Sequence, residues 1–533
     1  MLRDEIKNLI ERAVKELQEE GVFPDFEIPE IEISHPDKKD YGDYSTNTAF
    51  KIAKDTKKNP LEIGGILCKK ITELYPKYFN IKKVGEFDSE CVAGFINFSI
   101  SKKYLQLQVE EILKQKNKFG KLKIGKGQKV NLEFISANPT GPLTLGNGRG
   151  GFCGDVLANI LEKADFKVER EYYVNDTGKQ VEKLGHSVLG DEEAVYKGDY
   201  IEKLKKRVKK NKAERVGEES AEIILKEIII PSVKKMRINF DTWFSEKNLH
   251  KKGKVKKVIE VLKNKKLAYE KEKALWFKAT SFGDDKDRVL IKADGETTYL
   301  SSDIAYMKDK FDRGANSLIF IWGADHFGYI ERIKAAAGAL GYDKEKIEII
   351  IMQLVKLFSK GKEVKMSKRT GDYITLDELI DEVGLDVARF FFLTRSNNSH
   401  LDFDMDLAKE QSEKNPVYYV QYAYARICSI LKKASKKGKG NLKLLESPAE
   451  LVLLKQLVKF PEVIEDTVKD YQTQRVPQYA IEVATAFHWF YRNCRVITED
   501  KKLADARISL ISAAQIIIKN TLDLMGVSTP EKM

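Results

Sequence analysis

Apolar residues recur at helical spacing through Leu2, Ile6, Ile10, Val14 and Leu17, with acids between them, which predicts an opening amphipathic helix. "FEIPEIEIS" then alternates like a strand, and "DYSTNTAFKIAKDTKKNPLEIGGILCKKI" reads as two helical stretches broken at Asn59–Pro60. "GFINFSIS" (94–101) alternates again, and "KKYLQLQVEEILKQ" returns to helical spacing before the linker "KNKFGKLKIGKGQ". From 129 the texture changes. "KVNLEFIS" is a buried-strand pattern that runs into a glycine-rich turn, followed by the amphipathic "FCGDVLANILEKADF" and the strand "KVEREYYVN". Strand, helix, strand is the unit of a parallel, doubly wound sheet. The lysine-rich stretch from about 190 to 270 reads as a helical insertion. The sheet is expected to resume through "ALWFKA", "RVLIKA", "SLIFIWG" and "IEIIIMQLV", and beyond about 400 the pattern is helical throughout. The fold class this predicts is α/β. A Rossmann-type, doubly wound parallel-sheet domain (128–398) is expected between a small N-terminal α/β domain (1–115) and a C-terminal all-α bundle (399–533).

Composition narrows the partners. With 42% hydrophobic and 33% charged residues, the 533-residue chain has globular composition. A net charge of +12 and a pI near 9.0 favour a polyanionic partner. No uninterrupted apolar run approaches bilayer length, and acids in the first helix argue against a targeting peptide, so a cytoplasmic location and no membrane are expected. The five cysteines are scattered, none forms CxxC, and no His/Cys cluster has zinc spacing. A reducing compartment and no structural metal are therefore expected.

Two stretches carry candidate chemistry. "SANPTGPLTLGNGRGGFCGD" (136–155) holds six glycines between a strand and a helix. There, backbone N–H groups and the helix dipole can face an anion, and glycine lets the ligand come close. "KEVKMSKRTGDYITLDELI" (362–380) places Lys365, Met366, Ser367 and Lys368 in a polar loop before a helix that Thr375 would cap. Two lysines there could neutralise a departing pyrophosphate. Either stretch alone has a plain reading, as a tight turn or a solvated surface run.

These stretches come with "REYYVNDTGKQ", "FDTWFSE", "TTYLSSDIAYMKDKF", "GADHFGYIERIKAA", "DVARFFFLTRS", "NPVYYVQYAYAR", "FHWFYRNCRVI" and "LMGVSTPEKM", in that order. The whole resembles the arginyl-tRNA synthetases, class I aminoacyl-tRNA synthetases. The resemblance implies an arginine-tRNA ligase that uses ATP with Mg2+, L-arginine and tRNA(Arg), and acts as a monomer. Lys365 and Lys368 would be catalytic, with Met366, Ser367, Gly146, Asn147 and Gly148 on ATP. Ser136, Asn138, Tyr299, Asp303 and His326 would hold arginine. Asn97 of the N-terminal domain would meet the outer corner of tRNA. Tyr419, Tyr422, Tyr491 and Met533 would meet the anticodon.

One departure stands out. The family's His-x-Gly-His signature reads Thr144-Leu145-Gly146-Asn147, and neither replacement can carry positive charge. Thr144 and Asn147 are expected to serve as neutral donors in the catalytic site. A non-catalytic tRNA-binding paralogue is the alternative that this loss leaves open. Residue by residue, plainer readings also stand: Asp303 as a helix N-cap, Asn138 as an Asn–Pro turn, His326 as structural, and the tyrosines as packing.

Overall fold

The computed structural model describes residues 2–36, 38–78, 87–92, 94–209, 211–364, 374–434 and 440–533. The first helix, α1 (Leu2–Glu19), buries Ile6, Leu9, Ile10, Ala13, Val14 and Leu17, the face its spacing predicts. That face packs on the helix Pro60–Tyr78 and shares a core with a three-stranded antiparallel sheet, β1 (Tyr44–Thr46), β2 (Phe87–Val92) and β3 (Phe95–Ile100), in the order β1-β3-β2. "FEIPEIEIS" does not become a strand. Only Ser34 bridges to the sheet, opposite Ser45, so its alternation reflects a segment lying against the core through Ile31.

After α2 (Lys102–Gln115), five parallel strands form the central sheet: β4 (Lys129–Glu133), β5 (Lys167–Val174), β6 (Thr242–Ser245), β7 (Ser317–Gly323) and β8 (Ile347–Met352). Their order is β8-β7-β4-β5-β6. The winding reverses between β4 and β7, and the crevice beyond their carboxyl ends is where ligands bind in such sheets.

Two expectations about this region fail. "ALWFKA" and "RVLIKA" are not central strands. With Ala268–Lys271 they make a separate antiparallel sheet, because the hairpin between them folds back on itself. The fifth central strand is β6, inside the stretch read as a helical insertion. It is only four residues long, all half-buried, too short to leave a period.

The glycine-rich "turn" is also mostly helix. The helix α3 (Leu145–Lys163) begins seven residues before the amphipathic pattern is evident, so five of the six glycines lie within it. The chain then runs through α4 (Tyr299–Asp312) and α5 (Leu376–Val383) to α6 (Leu385–Phe392). A strand at Leu401–Asp404 pairs with Val355–Ser359, so the chain past 400 is not wholly helical.

The C-terminal bundle contains α7 (Pro416–Lys433), α8 (Pro448–Val458), α9 (Phe460–Asp470), α10 (Arg475–Asn493) and α11 (Lys501–Met525). By length and composition α11 is long and apolar enough to cross a bilayer, although Arg507 and Lys519 interrupt its apolar run. It is a core helix instead: two-thirds of its apolar window is buried against its neighbours. One continuous core joins the bundle to α3, while the N-terminal domain keeps a core of its own. That domain docks on α9 through Glu462, whose carboxylate meets Arg3 at 3.0 Å, His35 at 2.9 Å and the Tyr44 hydroxyl at 2.6 Å.

Candidate active site

The loop from β4 to α3 starts under strain. Ile135 (φ 65°) and Ser136 (φ 40°) both lie in the left-handed region, which a β-branched residue rarely occupies. Neighbouring elements hold it there. Ser136 Oγ accepts the Tyr173 amide at 3.0 Å, and the Tyr172 and Tyr200 hydroxyls donate to Ala137 O and Thr140 O at 3.0 Å each. The result leaves Asn138 exposed above the sheet, its own carbonyl closing the turn on Thr140 N at 2.7 Å.

The first turn of α3 carries the altered signature. Thr144 is its N-cap and Asn147 its N3 residue, and together they make a reciprocal capping box. Asn147 Oδ1 accepts from Thr144 N at 2.9 Å and from Thr144 Oγ1 at 2.8 Å, and Thr144 Oγ1 accepts the Asn147 amide at 3.4 Å. Gly146 between them is exposed, and a Cβ there would meet only Thr144 Oγ1, at 3.8 Å.

The other helical glycines answer to protein rather than ligand. A Cβ on Gly148 would come within 2.5 Å of Leu376, on Gly151 within 2.6 Å of Met236, and on Gly154 within 2.4 Å of Phe134. Gly148, expected on ATP, is therefore buried packing against the start of α5. Leu376 N also donates to Leu143 O at 3.0 Å. Buried Arg149 donates to Gln353 O and Ser396 O, each at 2.8 Å. The elements flanking 365–373 are thus tied to α3. Lys365, Met366, Ser367 and Lys368 themselves lie outside the described residues.

Across the crevice, Asp303 is not the N-cap of α4. Thr298 holds that position, and Asp303 lies one turn inside, on the face of Tyr299, which is 53% exposed. Burial, and then the charges of Glu246 and Glu133, push the Asp303 carboxyl up to about 7. Glu246, 4% exposed, is likewise held at about 7, chiefly by burial, with the charge of Asp176 adding to it and hydrogen bonds from Tyr173 and Ser302 opposing it. The side-chain amide of Asn175 comes to 2.7 Å from Glu246 Oε2. Burial and the same three carboxylates raise the Tyr173 hydroxyl.

Beneath them Lys310, fully buried, donates to Glu133 Oε2 and Asn131 Oδ1 at 2.7 Å each, and lies 4.4 Å over the Tyr306 ring. Glu133 therefore has its counter-charge, whereas among the described residues Asp303 has no basic partner and Glu246 has only the His250 ring, 3.8 Å from its Oε1. Glu133 and Glu246 are the site residues that sequence reasoning missed. The signal was an acid closing a buried strand in "KVNLEF" and another directly after "TWFS".

His326 lies in the 3-10 turn Ala324–Tyr329 at the carboxyl end of β7, beside Asp325 (3.6 Å) and the rings of Trp322 and Tyr329 (5.8 and 5.6 Å). Phe327 next to it is 70% exposed.

Far from the crevice, α7 and α10 bring the three tyrosines together. Tyr419 and Tyr422 both pack on His488, and the Arg426 guanidinium lies 5.0 Å over Tyr422 and 4.9 Å over Tyr491, whose hydroxyl it also binds at 2.8 Å. Met533 is half-exposed at the end of a tail pinned to α7 by Lys432–Glu531 at 2.8 Å. Asn97 does not face outward. It is 6% exposed and paired opposite Ser45 and Glu90, while Phe95 and Ser99 are the exposed residues of the same strand, the Phe95 ring 5.0 Å from that of Phe50.

A strained loop, a helix N-terminus and an acid-lined pocket meeting at a switch point define a nucleotide-binding α/β enzyme. Residues 108–220 and 191–410 match the model for the tRNA synthetases class I (R) catalytic domain. Residues 4–100 match the arginyl tRNA synthetase N terminal domain, and 420–533 the DALR anticodon binding domain. The chain is 44% identical to the arginine--tRNA ligase of Carboxydothermus hydrogenoformans over 94% of both chains. It is 42% identical to that of Bacillus subtilis over 100% of this chain and 98% of the other. The Thermus thermophilus arginyl-tRNA synthetase structure, 22% identical, superposes with a TM-score of 0.78 over 100% of both chains. The chain belongs to the arginyl-tRNA synthetase family.

Proposed function

We propose that this chain activates L-arginine with Mg–ATP and transfers it to the 3′-terminal adenosine of tRNA(Arg). The observation that carries the reading is the pair of buried carboxylates Asp303 and Glu246 beside the Lys310–Glu133 contact, with Asp303 on the helix face of the exposed Tyr299. A planar guanidinium supplies the counter-charge that pair lacks, and two N–H···O bonds fix its direction. Asn138 and Ser136 sit where the α-amino and carboxylate ends of arginine would lie, with His326 on the far wall.

The arginine carboxylate oxygen attacks the α-phosphorus of ATP, the bond to the bridging oxygen breaks, and pyrophosphate leaves with that electron pair. The terminal 2′-hydroxyl of tRNA then attacks the adenylate carbonyl carbon, losing its proton as AMP departs. Both steps rest on positioning and electrostatics. The open ground at Gly146 receives the phosphates, and Lys365 and Lys368 neutralise pyrophosphate. In the bundle, Tyr419, Tyr422 and Tyr491 present ring faces to splayed anticodon bases, with Met533 nearby. On the N-terminal domain, Phe95 replaces Asn97 as the surface offered to tRNA.

The division into 1–115, 128–398 and 399–533, the monomeric state and a cytoplasmic site of action belong to the same proposal; the five unpaired cysteines suit a reducing compartment. Relatives matching end to end favour the ligase over a non-catalytic tRNA-binding paralogue. Charging of tRNA(Arg) with arginine, run beside lysine, cysteine and citrulline, tests it. Arginyl-tRNA alone is expected. Absence of charging by any of the four removes the proposal.

A further inference from the structure

The family signature puts two imidazoles at this helix start, and here a threonine and an asparagine bond to each other instead. The reciprocal box decides what each has left to give. Asn147 Oδ1 takes two donors, Thr144 N at 2.9 Å and Thr144 Oγ1 at 2.8 Å, which occupies both its lone pairs and fixes the plane of the amide. The hydroxyl proton of Thr144 is spent in that bond. What Thr144 Oγ1 can offer a phosphate is a lone pair, which a phosphate oxygen repels. Asn147 Nδ2 keeps both protons, and among the described residues it has no acceptor. It stands at the N-terminus of a 19-residue helix, next to the exposed Gly146, where the backbone dipole already favours an anion.

We propose that Asn147 is the side-chain donor to the reacting phosphates and that Thr144 is a positioning residue, acting only by turning the Asn147 amide outward. This deepens the ligase reading and rests on it. The roles expected of the two residues then separate: one touches the nucleotide and the other does not. The donor is a neutral amide, so its strength is constant over the range in which an imidazole would gain and lose its proton.

A double-mutant cycle tests the division, read by arginine- and tRNA-dependent pyrophosphate exchange at saturating arginine, with thermal unfolding recorded for each variant. Asn147→Ala is expected to lower kcat about 100-fold, the usual loss for one transition-state donor. Thr144→Val removes the hydroxyl bond, leaves the one from the backbone N–H, and so loosens the amide, with an expected loss of about tenfold in kcat, an unchanged KM for arginine, and rescue by Thr144→Ser. On the Asn147→Ala background Thr144→Val should cost nothing more. A further tenfold loss there would mean that Thr144 meets the nucleotide itself, and the division falls.

Asn147→Asp covers the case in which the alanine variant does not fold. It keeps both bonds from Thr144 but exchanges the donor for a negative charge, so stability should hold or rise at the helix N-terminus while kcat falls at least as far. A rate near that of the unaltered protein overturns the proposal. The helix start carries no imidazole, so the unaltered protein and Asn147→Ala should share one shape of kcat profile from about pH 6 to 8 at saturating arginine; a limb that disappears with the alanine variant counts against the amide. Failure of the unaltered protein to charge arginine is a separate outcome, seen before any variant is made, and it refutes the ligase reading rather than this one.

Discussion

On the α4 side, the crevice is lined by carboxylates that burial holds half-protonated near neutral pH, Asp303 and Glu246, above a buried lysine that satisfies their neighbour Glu133. On the α3 side, a few residues of glycine, threonine and asparagine line it with no charge among the described side chains of the first turn. The two walls suit ligands of opposite sign by different means. A cation is held by charge that costs free energy until the ligand arrives. An anion is received by N–H groups already pointing the right way, which keeps the empty site stable. Mutations on the charged wall should therefore act through arginine affinity, and mutations on the neutral wall through the phosphates.

The largest effect belongs to Asp303→Asn. Leaving a guanidinium without its partner in a half-buried pocket costs about 4 kcal/mol, so kcat/KM for arginine should fall about a thousandfold while KM for ATP hardly moves. A comparable rise in KM for ATP would show that the two walls do not act separately.

Next comes Gly154→Ala. Its Cβ would stand 2.4 Å from the Phe134 ring, which is fully buried at the end of β4 and has no room to turn. Overpacking of this kind costs about 2 kcal/mol, read as a lower denaturant midpoint with unchanged slope. Activity per folded molecule should stay as it was, since this glycine faces the sheet.

The pH dependence is smaller and has a definite sign. Asp303 and Glu246 are each held at about 7 against an ordinary carboxylate near 4. Arginine needs Asp303 ionised. As pH falls below about 7, binding must displace a proton, and KM for arginine should rise up to about tenfold per unit for each proton displaced. The stability of the ligand-free protein runs the other way. Between about pH 4 and 7 the folded chain holds protons that the unfolded chain has released, so stability falls as pH rises through that window and levels off above it. Saturating arginine should flatten that slope. A KM that is constant from pH 6 to 8 would place the guanidinium away from the pair.

The charged wall was only half legible in the sequence. Asp303 stood out because "YLSSDIAYM" resembles a known pocket, and its helix spacing to Tyr299 is visible in the letters. Glu133 and Glu246 went unremarked because an acid after "KVNL" or "TWFS" looks like any strand end or helix start. Their meaning comes from β4, β6 and α4 converging, a tertiary fact with no local period. β6 was missed for the same reason: four half-buried residues between lysine-rich helices leave no alternation to count.

The neutral wall shows the opposite error. Six glycines in twenty residues invite a ligand, yet Gly148, Gly151 and Gly154 recur every three residues along a helix face that packs on Leu376, Met236 and Phe134. Helical spacing of small residues was in the sequence, but the density of glycine argued for a turn. The paired roles of Thr144 and Asn147 could be read as a capping pattern, with an amide where Glu or Gln is usual.

The smallest effect, and the one that best separates the two uses of glycine, is Gly146→Ala. This residue lies in the first turn of α3, where nothing but Thr144 Oγ1 at 3.8 Å would meet a new methyl group. Removing glycine there should stabilise the protein by about 0.5 kcal/mol, a reversal of sign relative to Gly154→Ala. The same methyl group would stand in the ground through which the phosphates reach Asn147. KM for ATP should rise while KM for arginine stays unchanged. If the variant gains stability and keeps its affinity for ATP, the nucleotide does not lie over the helix start, and the phosphates must be held by the elements that flank residues 365–373.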